Sequence, residues 1–487
     1  MRGAIAAGHP LTAEAGAQVL EAGGNAVDAC VAAAFVSWVA ESPLTGPGGG
    51  GFMLVHRDGR SRLLDFFVAV PGKGPHGVAA PMEEIDVVFE GDSSQVFRIG
   101  PSAAAVPGTV AGLEEAHRSF GSLPWRELVG PAVELARSGV ELTRPQAYLH
   151  AILDVILRHT DEGRAIYGID GRLLPGEVLV QRDLAGTLER LGEHGARELY
   201  GGETGRALVA HVRGGGGLVT RRDLDEYRVI RRRPVAVEFR GYEFRSNPPP
   251  SSGGVLIAFG LQQLGSLEGR PGSAEAVAAV AEAMRAQNAA RAGRFVSDLY
   301  RGGLAKRLLS GTTHISVVDA TGMAASLSAS LGSGSGVVVP GTGIQLNNML
   351  GEYDLVGQTR AGARMTSMMA PSIVLGAGGP RLVLGSAGSV RLRGAIMQVV
   401  VNVTAHGLGV REAIEAPRIH LEGDALHCEG GADAAELDRL ESMGWELIRW
   451  KRRNLYFGGV AAVEVLGDRT LAAAGDPRRG GAGMVVG

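Results

Sequence analysis

The 487-residue chain carries 75 glycines, about 15% against the ~7% of ordinary proteins; with 22 prolines and no G-X-Y period, it is neither collagenous nor of low complexity. Lys+Arg 48 against Asp+Glu 51 give a net charge of −3, which offers no electrostatic footprint for nucleic acid or an anionic membrane and points to small-molecule partners. Cys30 and Cys428 are the only thiols, so neither a disulfide framework nor a zinc site is expected, and both are read as small core residues.

The amino terminus, MRGAIAAGHP, has no cationic region followed by an apolar run of signal-peptide length. The most apolar stretch, 26–40, is interrupted by Asp28 and too short to span a bilayer. A cytoplasmic protein is expected, with secretion left open should a leader have been trimmed. Asn25 and Asp28 form a capping-box pattern that opens AVDACVAAAFVSWVA as a buried helix. The loop TGPGGGG (45–51) ends it and leads into FMLV; the Asp58-Gly59 turn returns the chain through LLDFF as a hairpin.

From Pro107 to about Ala210 the spacing predicts a helical layer with no evident chemistry. SNPPPSSGGVLI (246–257) predicts an extended turn and then an apolar helix; a phosphate loop there would lack the P-loop lysine. THISVV (313–318) and MAASLSAS (323–330) read as one hairpin, followed by the loop GSGSG. PSIVL (371–375) and RLVLGSAGS (381–389) read as a second, feeding the apolar helix AIMQVVVNVTAHGL. Strand pairs alternating with long apolar helices predict an α+β fold, a four-layer αββα sandwich.

Several separated segments keep a common order along almost the whole chain: AAGHPLTAEAGAQVLEAGGNAVDA (6–29), GPGGGGFMLV (46–55), VPGTVAG (106–112), NPPPSSGG (247–254), GTTHISVVD (311–319), GTGIQLNN (341–348), GSAGSVRLR (385–393) and EAPRIH (415–420). On these segments the chain resembles the γ-glutamyltransferase family of N-terminal nucleophile hydrolases. The resemblance implies a precursor that cuts itself between Gly311 and Thr312, leaving segments 1–311 and 312–487 intertwined in one domain, as a heterodimer of fragments that in turn could dimerise. Thr312 then becomes a new amino terminus whose α-amine, a group that ordinarily titrates near ~8, serves as base for its own hydroxyl. No metal or organic cofactor is implied. The acyl donor is a small molecule, the acceptor water or an amine.

By the same resemblance Ser330 orients the nucleophile where the family usually has threonine, and Thr313 partners the new amine. Gly388 and Ser389 fall where the family places two oxyanion-binding glycines. Glu352 and Ser367 contact the acyl donor.

The chain also departs from the pattern. Asp65-Phe66-Phe67-Val68 stands where the family has a DFRE-like segment, so Phe67 replaces the arginine that holds a substrate carboxylate. Losing one charge-assisted hydrogen bond of ~1.5–3 kcal/mol weakens γ-glutamyl recognition by ~10–150-fold. Gly332 occupies an asparagine position, Met349 a polar one, and Ser367-Met368 keeps one hydroxyl of a serine pair. Arg364 and Arg391 are the nearby cations that would have to replace the missing one, against the simpler reading that each braces a loop. About eighteen residues lie between Arg294 and Thr312, a short approach that predicts slow self-cleavage. The compact GSGSG stretch predicts an open cleft for larger substrates.

Three substrate classes follow: γ-glutamyl compounds such as glutathione, acylated β-lactam-like amides, or a natural-product intermediate cut at an acyl or C–C bond. A silent scaffold homologue would have no use for Thr312, Thr313 and Ser330. A Rossmann-type nucleotide enzyme would need a G-x-G-x-x-G arrangement that the strand-adjacent glycine loops lack.

Overall fold

The computed structural model describes residues 1–88, 94–265, 267–292, 311–352 and 360–487. The approach to the cut, 293–310, therefore lies outside the described residues. Two antiparallel sheets stack face to face. In the first, seven strands among the described residues run in the order Ala482–Val486, Gly3–Ala7, Gly311–Asp319, Ala324–Gly332, Gly50–Arg57, Arg60–Phe66 and Ile230–Arg232. The second orders Leu471–Gly475, Gly459–Val465, Gly379–Ala387, Ser372–Gly376, Tyr242–Ser246 and Val235–Phe239. The first sheet interleaves strands from before and after position 312, and the second joins four strands from after it to two from before it.

The expected hairpins are present at Gly50–Arg57/Arg60–Phe66, Gly311–Asp319/Ala324–Gly332 and Ser372–Gly376/Gly379–Ala387. In the first of these turns Asp58 and Gly59 both take positive φ, +50° and +71°, as a two-residue hairpin turn requires.

Helices cover the outer face of each sheet, giving the four layers. The Ala26–Ala40 helix is buried along its whole length, and the Asn25–Asp28 capping box is formed. With the Pro10–Glu21 and Thr109–Phe120 helices it packs on the outer side chains of the first sheet, Ile5, Met53, Ile315 and Val317 among them. The Gly253–Gln263, Ala274–Ala292 and Leu392–Thr404 helices cover the second sheet. Between the sheets lies a separate core built on Ala4, Phe52, Leu54, Leu63, Ile373 and Val383. Cys30 and Cys428 are both buried free thiols. No helix of the described residues is long and apolar enough to cross a membrane.

Candidate active site

Side chains alternate along a strand, so residues of Gly311–Asp319 divide between the inter-sheet layer and the helix layer. Ile315 and Val317 face the helices. His314 and Ser316 face the second sheet, where the Ser316 hydroxyl donates to the Ala461 carbonyl at 3.1 Å. The ladder is irregular where Thr312 sits: Gly311 pairs with Gly332 but Thr313 with Ala329, so one strand takes three steps while the other takes two. Such irregularities re-aim a side chain.

Thr312, only 1% exposed, lines a narrow cleft of about 20 Å³ together with Phe67, Ser330, Met349, Glu352, Ser367, Met368, Met369, Ser389 and Leu392. Seven of the residues proposed from sequence, Phe67, Thr312, Ser330, Met349, Glu352, Ser367 and Ser389, thus meet in one place. The expectation of an open cleft does not hold among the described residues. The GSGSG loop is tied down instead: Ser335 Oγ donates to the Leu346 carbonyl at 3.0 Å, and the Ser333 N–H and hydroxyl both engage the Asn348 side chain.

The Gly332 N–H donates to Ser330 Oγ at 2.8 Å, fixing that hydroxyl at the strand end. Gly332 does not line the cleft. Its φ is +73°, and a Cβ there would stand 2.1 Å from Asn348 Oδ1 and 2.7 Å from Glu352 Oε1. The space an asparagine side chain would need is already filled by these two residues. Gly388 precedes the short turn Ser389–Arg391 with a φ of +129°, and a Cβ on it would meet Gly458 Cα at 2.9 Å. Ser389 itself takes a φ of +55°, a conformation uncommon for a residue with a side chain.

Beside the polar Glu352, Ser367 and Ser389, the cleft is lined by apolar Phe67, Met349, Met368, Met369 and Leu392. The Phe67 ring is 1% exposed and stacks on Phe52 at 5.5 Å. Among the described residues no arginine lines the cleft. Arg364 is a brace and not a substitute cation: its Nε lies 3.3 Å from buried Asp65, it donates to the Phe67 carbonyl and to Tyr227 Oη (2.6 Å), and it stacks over the Tyr227 ring. Arg391 stacks over Tyr456 at 4.3 Å.

The proline-rich segment that reads as a turn or a phosphate loop has a different task. Ser251 Oγ donates to the Ser367 carbonyl at 2.7 Å, Asn247 Nδ2 to the Met369 carbonyl at 2.9 Å, and a Cβ on Gly253 would fall 1.9 Å from the Met368 carbonyl oxygen. The segment holds Ser367–Met369, one wall of the cleft.

His314 stands two residues from Thr312, yet burial pushes its pKa down to about 3, and its two ring nitrogens are engaged by Ser328 Oγ (2.8 Å) and Ser316 Oγ (2.9 Å). It is a neutral structural imidazole and no base for the threonine. Among the described residues no group of three or more His, Cys, Asp or Glu side chains is placed to hold a metal ion.

Thr313, like Gly332 and Gly388, does not line this cleft. It points into the helix layer and, with Thr312, borders a second cavity of about 70 Å³ whose walls include His9, Glu41, Gln146, His150, Leu455 and Arg479. Glu41 and Arg479 were not singled out from sequence. The available signal was a carboxylate directly behind fifteen uninterrupted helical residues of a buried run. A further cavity, about 1260 Å³, lies beside the Ala274–Ala292 and Ala434–Ser442 helices and touches none of the candidate residues.

Comparison with known proteins places this geometry in context. The gamma-glutamyltranspeptidase family profile matches residues 12–301 and 294–486. The chain is 33% identical over 531 aligned positions to the acylase ACY 1 proenzyme of Pseudomonas sp. strain V22, covering 100% of this chain and 94% of that protein. It is 34% identical over 550 positions to the glutathione hydrolase proenzyme of Pseudomonas aeruginosa, covering 99% and 94%. In fold it resembles the crystal structure of cephalosporin acylase from Bacillus halodurans, with a TM-score of 0.85 at 24% identity over 99% of this chain and 95% of that one.

Proposed function

We propose, from the premise that this chain belongs to the γ-glutamyltranspeptidase family, that it is a self-processing N-terminal threonine hydrolase or acyltransferase whose nucleophile is Thr312. The observation that carries this reading is the convergence of Phe67, Ser330, Met349, Glu352, Ser367 and Ser389 on Thr312, from positions scattered over more than three hundred residues of sequence.

Cleavage before Thr312 frees an α-amine that takes the hydroxyl proton as Oγ adds to a substrate carbonyl. Ser330 orients that hydroxyl. The oxyanion forms against the backbone at Gly388 and Ser389, where fixed donors act most strongly because water is excluded. The acyl-enzyme then passes its acyl group to water or an amine. The two fragments stay together because strands of one pair with strands of the other, Gly311–Asp319 with Gly3–Ala7 and Ala324–Gly332 with Gly50–Arg57.

The donor is an amide whose acyl group lacks an α-carboxylate. Phe67, Met349, Met368, Met369 and Leu392 present apolar surface, and the nearby Arg364 is committed to Asp65 and the Phe67 carbonyl. Among the described residues no cation lines the cleft to meet a γ-glutamyl carboxylate, and burying that charge unpaired is costly. Of the two kinds of relative, the acylase is the better guide to substrate.

The test compares a γ-glutamyl anilide with a set of acyl anilides lacking the α-amino and α-carboxylate groups. The uncharged donors should be turned over faster, and Thr312→Ala should abolish both turnover and self-cleavage. Preferential turnover of the γ-glutamyl compound would refute the donor assignment. A Thr312→Ala protein that still cuts and turns over would refute the nucleophile.

A further inference from the structure

The α-amine that activates Thr312 does not exist until the bond before it is broken, so self-cleavage needs another proton acceptor. The second cavity offers one. Glu41 is the C-cap residue of the Ala26–Ala40 helix and is 5% exposed. Its Oε1 accepts from Thr12 Oγ1 at 2.8 Å and its Oε2 from Thr313 Oγ1 at 2.5 Å. A Cβ at Gly8 would stand 2.4 Å from Glu41 Oε2 and 3.2 Å from Thr313 Oγ1, so the backbone of the AAGH segment is shaped around this carboxyl. A helix C-terminus is an unfavourable place for negative charge; capping alone does not account for a glutamate.

We propose that Glu41 is a positioning residue for self-cleavage that receives the Thr312 hydroxyl proton through Thr313 and a water held in the shared cavity; this rests on Thr312 being the nucleophile. The cavity, about 70 Å³, exceeds the ~10–15 Å³ that one water needs, and Thr313, Glu41 and Arg479 supply polar partners. As Thr312 Oγ adds to the Gly311 carbonyl carbon, its proton passes to Glu41. The Gly311–Thr312 C–N bond then breaks and the same proton moves to the departing nitrogen, leaving a Gly311 ester on Thr312 Oγ and a free α-amine. Water hydrolyses the ester: one of its protons returns to Oγ and its hydroxyl completes the Gly311 carboxylic acid.

The ionisable groups that face this cavity come from four elements besides the helix of Glu41. They are His9, Tyr148 and His150, His314, and the turn residues Asp476, Arg478 and Arg479. Burial lowers His9, and it takes His150 to about 4 and His314 to about 3, so the latter two are neutral. Asp476 is held low despite its burial by Arg418 and Arg478. Arg479, lowered to about 10 by burial, stays a cation. Burial holds the Glu41 carboxyl above the usual range, against the opposing pull of Thr313, Thr12 and Arg479. Among the carboxyls here, Glu41 is the one held above the ordinary carboxylate range.

The experiment follows disappearance of the 487-residue chain, made in a cell-free reaction, on denaturing gels from about pH 5 to 9. The wild type should cut with a rate that rises through an inflection above the ordinary carboxylate range. Glu41→Gln should slow cutting by about 100-fold or more, the scale of general-base catalysis, and flatten the profile, while Glu41→Asp keeps the inflection. Thr313→Val should also slow it, without adding to Glu41→Gln. Cutting of Glu41→Gln at the wild-type rate with the wild-type profile overturns the inference and leaves Thr312 standing. A cut elsewhere than before Thr312 overturns the underlying reading instead. Should Glu41→Gln not fold, as judged by melting in the Thr312→Ala background, the Thr313→Val rate and the wild-type profile decide. Unchanged cutting or a missing inflection then overturns it.

Discussion

Replacing Gly332 with alanine should damage both stability and acyl transfer, in amounts the local geometry fixes. The new methyl would begin 2.1 Å from Asn348 Oδ1 and 2.7 Å from Glu352 Oε1, at a φ of +73°. Holding a non-glycine residue in the left-handed region costs about 1–2 kcal/mol. Moving Asn348 aside gives up its contacts with the Ser333 N–H at 3.0 Å and the Ser333 hydroxyl at 2.7 Å, each worth about 0.5–1.5 kcal/mol. The sum is about 2–5 kcal/mol, measured as the shift in urea unfolding of the cleavage-blocked Thr312→Ala chain. In the mature enzyme Glu352, which lines the cleft, would be displaced with Asn348, so kcat/KM should fall about tenfold or more. An alanine variant within about 0.5 kcal/mol of its parent and fully active would refute the claim that Gly332 is required by occupied space.

Three further outcomes are expected. Arg364→Met should destabilise the chain by about 3–5 kcal/mol in the same unfolding assay, because fully buried Asp65 would lose one of its two arginines, keeping Arg232 at 2.8 Å and the Phe67 N–H at 3.0 Å, and the Phe67 carbonyl would lose a donor. Ser251→Ala should cost only about 1 kcal/mol, since the Ser252 N–H still donates to the Ser367 carbonyl at 2.9 Å, but should raise KM for the acyl donor by loosening the cleft wall. Stability should decline on acidification in scanning calorimetry. His150 and His314, with pKa values of about 4 and about 3 in the folded chain, take up protons near ~6.5 when unfolded. Their contribution is therefore complete above about pH 6.5 and lost progressively as pH falls towards the folded values, and His314→Gln should flatten that slope.

Local elements were legible because their signals are local. The Asn25–Asp28 box, the Asp58-Gly59 turn and the alternation in THISVV each fit within a few residues and fold as read. The cleft was legible only through family resemblance, because nothing in a short window brings Phe67 and Ser389 to Thr312. Long-range partners were not legible in either way. NPPPSSGG reads as an extended turn opening a helix, and that helix forms, yet Asn247 and Ser251 are also buried and bond to residues more than one hundred positions away. Glu41 meets Thr313 across 272 residues, a pairing that no periodicity announces.

The departures from the family pattern are better understood as one rearrangement than as separate losses. With phenylalanine at position 67, the ring packs on Phe52 and its carbonyl receives Arg364 and Tyr227, so the wall that would carry a cation is closed by apolar surface and backbone. With glycine at 332, Asn348 and Glu352 occupy the space a side chain would take, and Asn348 there secures Ser333 in the following loop. Each change removes a polar side chain from the substrate and assigns its room to a contact within the protein. A single exchange such as Phe67→Arg would accordingly bury a cation against Phe52, Met349 and Met369 without restoring the surroundings that make it useful. Under the proposed donor assignment the pocket is a packed alternative to the family's usual one, held in place by these contacts within the protein.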